Sequence, residues 1–87
     1  MVEEHKTYSK QLIGKIVVSK AGKRFGEVGN ITFETRTGEL IQIIIKNPTN
    51  HTENLDLEKD KDGNYLIPYS SVIAVGDFVV IAEEDIV

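Results

Sequence analysis

Phe25-Gly26-Glu27-Val28-Gly29-Asn30-Ile31-Thr32-Phe33-Glu34, carried through Thr35–Gly38 into Glu39-Leu40-Ile41-Gln42-Ile43-Ile44-Ile45-Lys46, is the longest apolar stretch of the chain. Two runs rich in β-branched and aromatic residues on either side of a polar, glycine-bearing turn read as a β-hairpin. In the first run Val28 and Ile31 differ in parity, so strict alternation cannot bury both. One extra residue at Gly29-Asn30 restores the register, and a bulge or sharp bend is expected there. The second run is apolar nearly throughout, so both of its faces call for cover. A barrel interior uses one face only. Leu40, Ile41, Ile43 and Ile45 are therefore the candidate dimer surface, with burial of Ile41, Ile43, Ile44 and Ile45 within one chain as the finding that would remove it.

Shorter strands flank this hairpin. Upstream, Leu12-Ile13-Gly14 leads into Lys15-Ile16-Val17-Val18-Ser19, closed by a turn at Lys20-Ala21-Gly22-Lys23. Downstream, Pro48 ends the third strand and Asn47 to Thr52 reads as a polar loop. Leu55 and Leu57 alternate with polar residues as a short half-exposed strand would. Asp60-Lys61-Asp62-Gly63 then has the chemistry of a turn returning into Asn64-Tyr65-Leu66-Ile67. Pro68-Tyr69-Ser70-Ser71 suits a brief 3₁₀ turn. Val72-Ile73-Ala74-Val75 and Phe78-Val79-Val80-Ile81 form a last hairpin about Gly76-Asp77. Twenty Ile and Val stand against five Leu and three Ala, a balance that favours pleated sheet over helix. The fold expected is all-β, a small barrel of about six mostly antiparallel strands.

At 87 residues the chain is one domain, and a domain this small buries only ~60–65% of its unfolded surface, which leaves little room for an internal ligand cavity. Residues 1–8 are expected to be a flexible N-terminal segment, frayed up to about Lys6; 9–82 form the domain, and 83–87 a loose acidic tail. There is no Cys, which excludes disulfides, thiolate metal sites and cysteine nucleophiles. The charged start, Met1-Val2-Glu3-Glu4-His5-Lys6, has no apolar run behind it, so neither signal peptide nor membrane span is expected and the predicted location is cytoplasmic. Asn30-Ile31-Thr32 and Asn50-His51-Thr52 match the glycosylation pattern, which has no role without secretion.

Net charge is −4 but unevenly spread: six bases face two acids in residues 1–25, and four bases face twelve acids in 26–87. Lys15, Lys20, Lys23 and Arg24 form a candidate basic patch for phosphates or an acidic partner. Such lysines also blunt an edge strand against edge-to-edge pairing, and that solvated reading ranks first. Phe25 is the only aromatic in the segment, so no base-stacking platform is indicated. Glu58-x-Asp60-x-Asp62-Gly63 imitates the opening of a calcium loop, but its twelfth position is Tyr69 rather than a bidentate Glu, and a solvated turn is the better reading. His5 and His51 lack a third ligand at useful spacing, and Ser70 and Ser71 lack a nearby His. No catalytic residue, metal site or cofactor is assigned, and the chain is not expected to be an enzyme.

Leu12-Ile13-Gly14-Lys15, the Gly22 turn into Gly26-Glu27-Val28, the Thr37-Gly38 turn, and Ile67-Pro68-Tyr69-Ser70-Ser71-Val72 running into Val75-Gly76-Asp77-Phe78-Val79-Val80 together resemble the PRC-barrel family, over roughly Ser9 to Ala82. That family is named for the photosynthetic reaction centre H subunit and also supplies the C-terminal half of the ribosome maturation factor RimM. The resemblance implies a barrel that binds proteins or assembles with itself, without catalysis of its own. Stand-alone archaeal members similar to cell-division adaptors, often homodimeric, point to an adaptor with an unidentified protein partner. An RNA- or ribosome-associated factor of the RimM type is the alternative. It ranks second because the chain is acidic overall and carries no counterpart of that factor's N-terminal domain.

Overall fold

The structure, a computed structural model, describes residues 12–86. The segment expected to be flexible, 1–8, lies outside the described residues. Six strands follow one another among these: β1 (Ile16–Ser19), β2 (Arg24–Phe33), β3 (Leu40–Lys46), β4 (Leu66–Pro68), β5 (Val72–Val75) and β6 (Phe78–Ile81). A one-turn helix, α1 (Asn50–Glu53), and 3₁₀ turns at Tyr69–Ser71 and Glu83–Asp85 complete the description. The strands form one sheet in the order β4-β3-β2-β1-β6-β5, antiparallel except for the β1/β6 pair. The fold is all-β, as the sequence predicts.

No ladder joins the edge strands β4 and β5, so hydrogen bonding leaves the sheet open. The chain itself spans the gap. Pro68 ends β4, the 3₁₀ turn at Tyr69–Ser71 follows, and Val72 opens β5. Ser71 holds this passage in place. Its Oγ donates to the Pro68 carbonyl at 2.7 Å, and its own carbonyl accepts from the Ala82 N–H at 2.8 Å.

Pleating puts alternate residues on opposite faces, and the inner face buries Val17 on β1, Val28 and Ile31 on β2, Ile43 and Ile45 on β3, Ile67 on β4, and Val79 and Ile81 on β6. Val28 and Ile31 both reach this face because Val28 pairs with Ile45 and Asn30 with Ile44, leaving Gly29 as the extra residue. The bulge lies where the parity argument places it. Three further residues are skipped by their ladders: Phe25 between Val17↔Gly26 and Val18↔Arg24, Ile41 between Gln42 and Leu40, and Ile73 between Val72 and Ala74. Phe25 turns fully inward. Ile41 and Ile73 turn outward, 40% and 52% exposed.

Gly29 is also where β2 comes closest to β3. A Cβ there would lie 2.8 Å from the Lys46 Cβ. At Gly26, whose φ is +145°, a Cβ would meet the Ile45 Cγ2 at 2.7 Å and the Lys46 carbonyl oxygen at 2.9 Å. Only glycine allows this approach.

Three local expectations are corrected. Residues 50–53 are helical rather than a loop, because Thr49 caps the turn through its side chain and straps it to β2: its N–H donates to the Phe25 carbonyl and its Oγ1 to the Arg24 carbonyl, while Thr52 Oγ1 donates to Phe25 at 2.6 Å. Leu55 and Leu57 belong to no strand. They contribute to the core, and the pairing continues only as far as the Leu66 N–H to Glu58 carbonyl bond and a Lys59–Tyr65 bridge, since no further strand lies alongside. Of the tail expected to be loose, 83–87, Glu83–Asp85 form a 3₁₀ turn, and residue 87 lies outside the described residues.

Gly29→Ala is expected to lower stability by about 1–3 kcal/mol through overpacking against Lys46. Gly76→Ala, with nothing within 4 Å of its added Cβ, should change stability by less than ~0.5 kcal/mol. Denaturant unfolding of both variants checks the contrast.

Candidate functional site

The four residues of the candidate dimer surface do not share a surface. Ile43 and Ile45 are 0% and 2% exposed in the core, so they are unavailable to a partner. Leu40 is half-buried and packs against that core. Ile41 has the same parity as Ile43 and Ile45, yet the bulge turns it out to solvent. Ile44 is half-buried on the outer face beside its ladder partners Asn30 and Leu66. What remains on strand three is a groove of about 880 Å³ beside Leu40, Ile41 and Pro68, edged by Glu34, Glu39 and Arg36. It is shallow and open.

The basic patch is divided in a similar way. Lys15 donates its ammonium to the Gly76 carbonyl at 2.5 Å. Lys20 pairs with Glu84 at 2.5 Å, both exposed. That hydrogen bond and the charge of Glu84 raise the Lys20 pKa, and the Lys20 hydrogen bond foremost holds Glu84 below the ordinary glutamate range. One residue earlier, Glu83 meets His51 Nε2 at 2.9 Å, and the His51 ring stands edge-on to Phe25 with centroids 5.2 Å apart. The acidic turn therefore lies against the cations. Lys23 and Arg24 are exposed and carry no ion pair among the described residues.

The calcium-like stretch is a hydrogen-bonded turn. Asp60 Oδ1 accepts from the N–H groups of Asp62 and Asn64, each at 2.9 Å. The Asn64 N–H is the main cause of the lowered Asp60 pKa. Among the described residues no group of three His, Asp or Glu side chains is placed to hold a metal ion, and no helix is long and apolar enough to cross a membrane.

A second apolar surface lies on the outer face of β1 and β6. Ile16 pairs with Phe78 and Val18 with Val80, alternating with the buried Val17, Val79 and Ile81. Ladder partners share a face, so these four side chains form one patch, extended by exposed Ala74 opposite Val80. Phe78 is 48% exposed. Ile73 and Val75 of β5 and Ile13 ahead of β1 are the other exposed large apolar side chains beside Ile41. Exposed apolar area held on strands, with few titratable groups among it, is suited to contact with another macromolecule. The signal for it is present in Ile16-Val17-Val18 and Phe78-Val79-Val80-Ile81, which are apolar at both parities. The parity reading assigns two apolar faces to β3 alone.

Comparison with known proteins places the chain among barrels of one kind. Residues 4–85 match the family described as PRC-barrel domain. A relative from Methanocaldococcus jannaschii, described as an uncharacterised protein, is 30% identical over 78 residues, covering 90% of this chain and 83% of the relative.

The Lys20–Glu84 pair sets a pH dependence with a defined sign. Glu84, its pKa lowered in the folded state, contributes stability above the ordinary glutamate range and loses it as pH falls through the folded value. Lys20→Ala is expected to raise the Glu84 pKa toward the ordinary glutamate range while leaving Asp60 depressed by Asn64. Carboxyl-detected NMR titration of Lys20→Ala beside the wild type reads this directly.

Proposed function

The chain belongs to the PRC-barrel family, and from that premise we propose that it is a non-enzymatic adaptor that binds another protein and self-associates, in the manner of the stand-alone archaeal barrels similar to cell-division adaptors. The observation that carries the reading is the half-exposed apolar patch of Ile16, Val18, Phe78 and Val80 on paired strands of the sheet. Leaving that area in water is unfavourable by roughly 25 cal/mol per Å², a term that covering it with a partner recovers. Strands hold the patch in one shape, so little ordering cost opposes association. The groove beside Leu40, Ile41 and Pro68 supplies a separate place for a protein partner.

The RNA- or ribosome-associated alternative rests on Lys15, Lys20, Lys23 and Arg24. Two of these four are engaged, Lys15 with the Gly76 carbonyl and Lys20 with Glu84. Glu83, Glu84 and Asp85 sit beside the patch within a chain of net charge −4. Phosphate binding gains its affinity from cations that displace counterions, and neighbouring carboxylates reduce that gain.

Sedimentation across a concentration series is expected to show the average mass rising from monomer toward dimer, and a salt-titrated mobility-shift assay with single-stranded RNA to show no salt-dependent binding. A strictly monomeric protein with salt-sensitive RNA affinity would reverse the order of the two readings.

A further inference from the structure

The turn between β1 and β2, the helix α1 and the terminal 3₁₀ turn meet around a hollow of about 410 Å³, separate from the groove on strand three. Three cationic or imidazole donors line it. Lys20 and Lys23 stand on the β1–β2 turn, which is closed by the Ser19 N–H to Lys23 carbonyl bond and the Gly22 N–H to Ser19 carbonyl bond, both 2.9 Å. His51 stands on α1 with its ring set edge-on against Phe25. A fourth donor is buried. Ser19 is 4% exposed and lines the same hollow. Its Oγ accepts from the Lys23 N–H at 3.1 Å, which leaves the hydroxyl proton with no acceptor among the described residues. A buried donor without a partner is unfavourable, and an anion in the hollow supplies the acceptor it lacks.

In the free chain these donors are taken up by the protein's own carboxylates. Glu84 pairs with Lys20 at 2.5 Å, and Glu83 accepts from His51 Nε2 at 2.9 Å. Both stand where the oxygens of a bound anion would, and the charge of Asp85 also acts on Lys20. Two lysines thus face three carboxylates, and an incoming anion is opposed while those side chains stay in place. They are weakly kept. Lys20 and Glu84 are 55% and 60% exposed, and an exposed pair of long side chains contributes little. Ile86 packs against the core and holds the backbone of the turn, so rotation of the two glutamate side chains is enough to open the hollow.

We propose that this hollow binds a phosphate group, free or as a monoester, through Lys20, Lys23, His51 and Ser19, and that Glu83 and Glu84 are its built-in competitors. The donors decide the ligand class. Four of them, converging from β1, the turn after it and α1, match a compact anion with three or more acceptor oxygens and about two negative charges. A long polyanion such as RNA has in addition to lie along Glu83, Glu84 and Asp85 on a chain of net charge −4, which opposes it. The site is independent of self-association, and the failure of either leaves the other standing.

The experiment is an amide NMR titration of the full chain with sodium phosphate and with methyl phosphate, against sodium chloride at equal ionic strength. Melting curves show that each variant remains folded. Shifts are expected on residues 19–23, 51 and 83–85 with either phosphate and not with chloride. The double variant Glu83→Gln, Glu84→Gln should bind about three- to tenfold more tightly as the competing pairs are lost. Adding Lys20→Gln to it should weaken binding by about tenfold or more, since a hydrogen bond to a charged group is removed. Adding Lys61→Gln instead, on the Asp60 turn, should change nothing. Tighter binding of methyl phosphate assigns the site to an ester and tighter binding of inorganic phosphate to the free ion, and either supports it. Shifts that match those of chloride, a double variant that binds no more tightly than the wild type, or binding that survives Lys20→Gln overturns the site.

Discussion

The close crossing of β2 over β3 is the constraint on which the rest of the structure depends. At Gly29 the strands approach so tightly that a methyl group would fall 2.8 Å from the Lys46 Cβ. The same glycine is the extra residue of the ladder, so one position supplies both the approach and the change of register. Without that change, Val28 and Ile31 could not share the core, and a chain of this size has few apolar residues to spare. Gly26 permits a second near contact, with the Ile45 side chain and the Lys46 carbonyl. The bent hairpin then carries β1 on one side and β4 on the other.

From this bend follows the way the barrel is completed. The edge strands do not pair; the chain crosses between them through a 3₁₀ turn held by Ser71. Bulges distribute the apolar residues that alternation alone would send to the wrong side. Phe25 goes inward to meet His51 edge-on, while Ile41 and Ile73 go outward. The inner face is thereby filled by one set of side chains, and a second apolar set is left on the outside of β1 and β6. Covering a set of apolar side chains of this kind removes their surface from water, which is favourable.

Electrostatics reinforces the division. The terminal acidic turn lies against Lys20 and His51, drawing charge of both signs into one region of the surface. The outer face of β1 and β6 carries instead an apolar strip, flanked on β2 and β3 by Arg24, Glu27 and the Glu27 ladder partner Lys46.

Much of this was legible in the residues. The excess of β-branched side chains, the order and turns of the strands, the parity break at Gly29-Asn30 and the Asp60 turn all follow from local rules of backbone geometry and pleating. Membership of the family followed from the order of its motifs. The burial of Ile43 and Ile45 beside an exposed Ile41 was not legible, because parity predicts a common face and only the ladder shows the bulge between them. Nor was the helix at Asn50–Glu53, which is too short to leave a periodic signal and is held by hydrogen bonds from Thr49 and Thr52 to a strand more than twenty residues earlier. The sequence by itself determined which segments are apolar on both sides. Which of those sides faces the core, and hence which apolar surface is left exposed, was decided by tertiary pairing, since every apolar strand obeys the same period of two and only its neighbours in the sheet settle the phase.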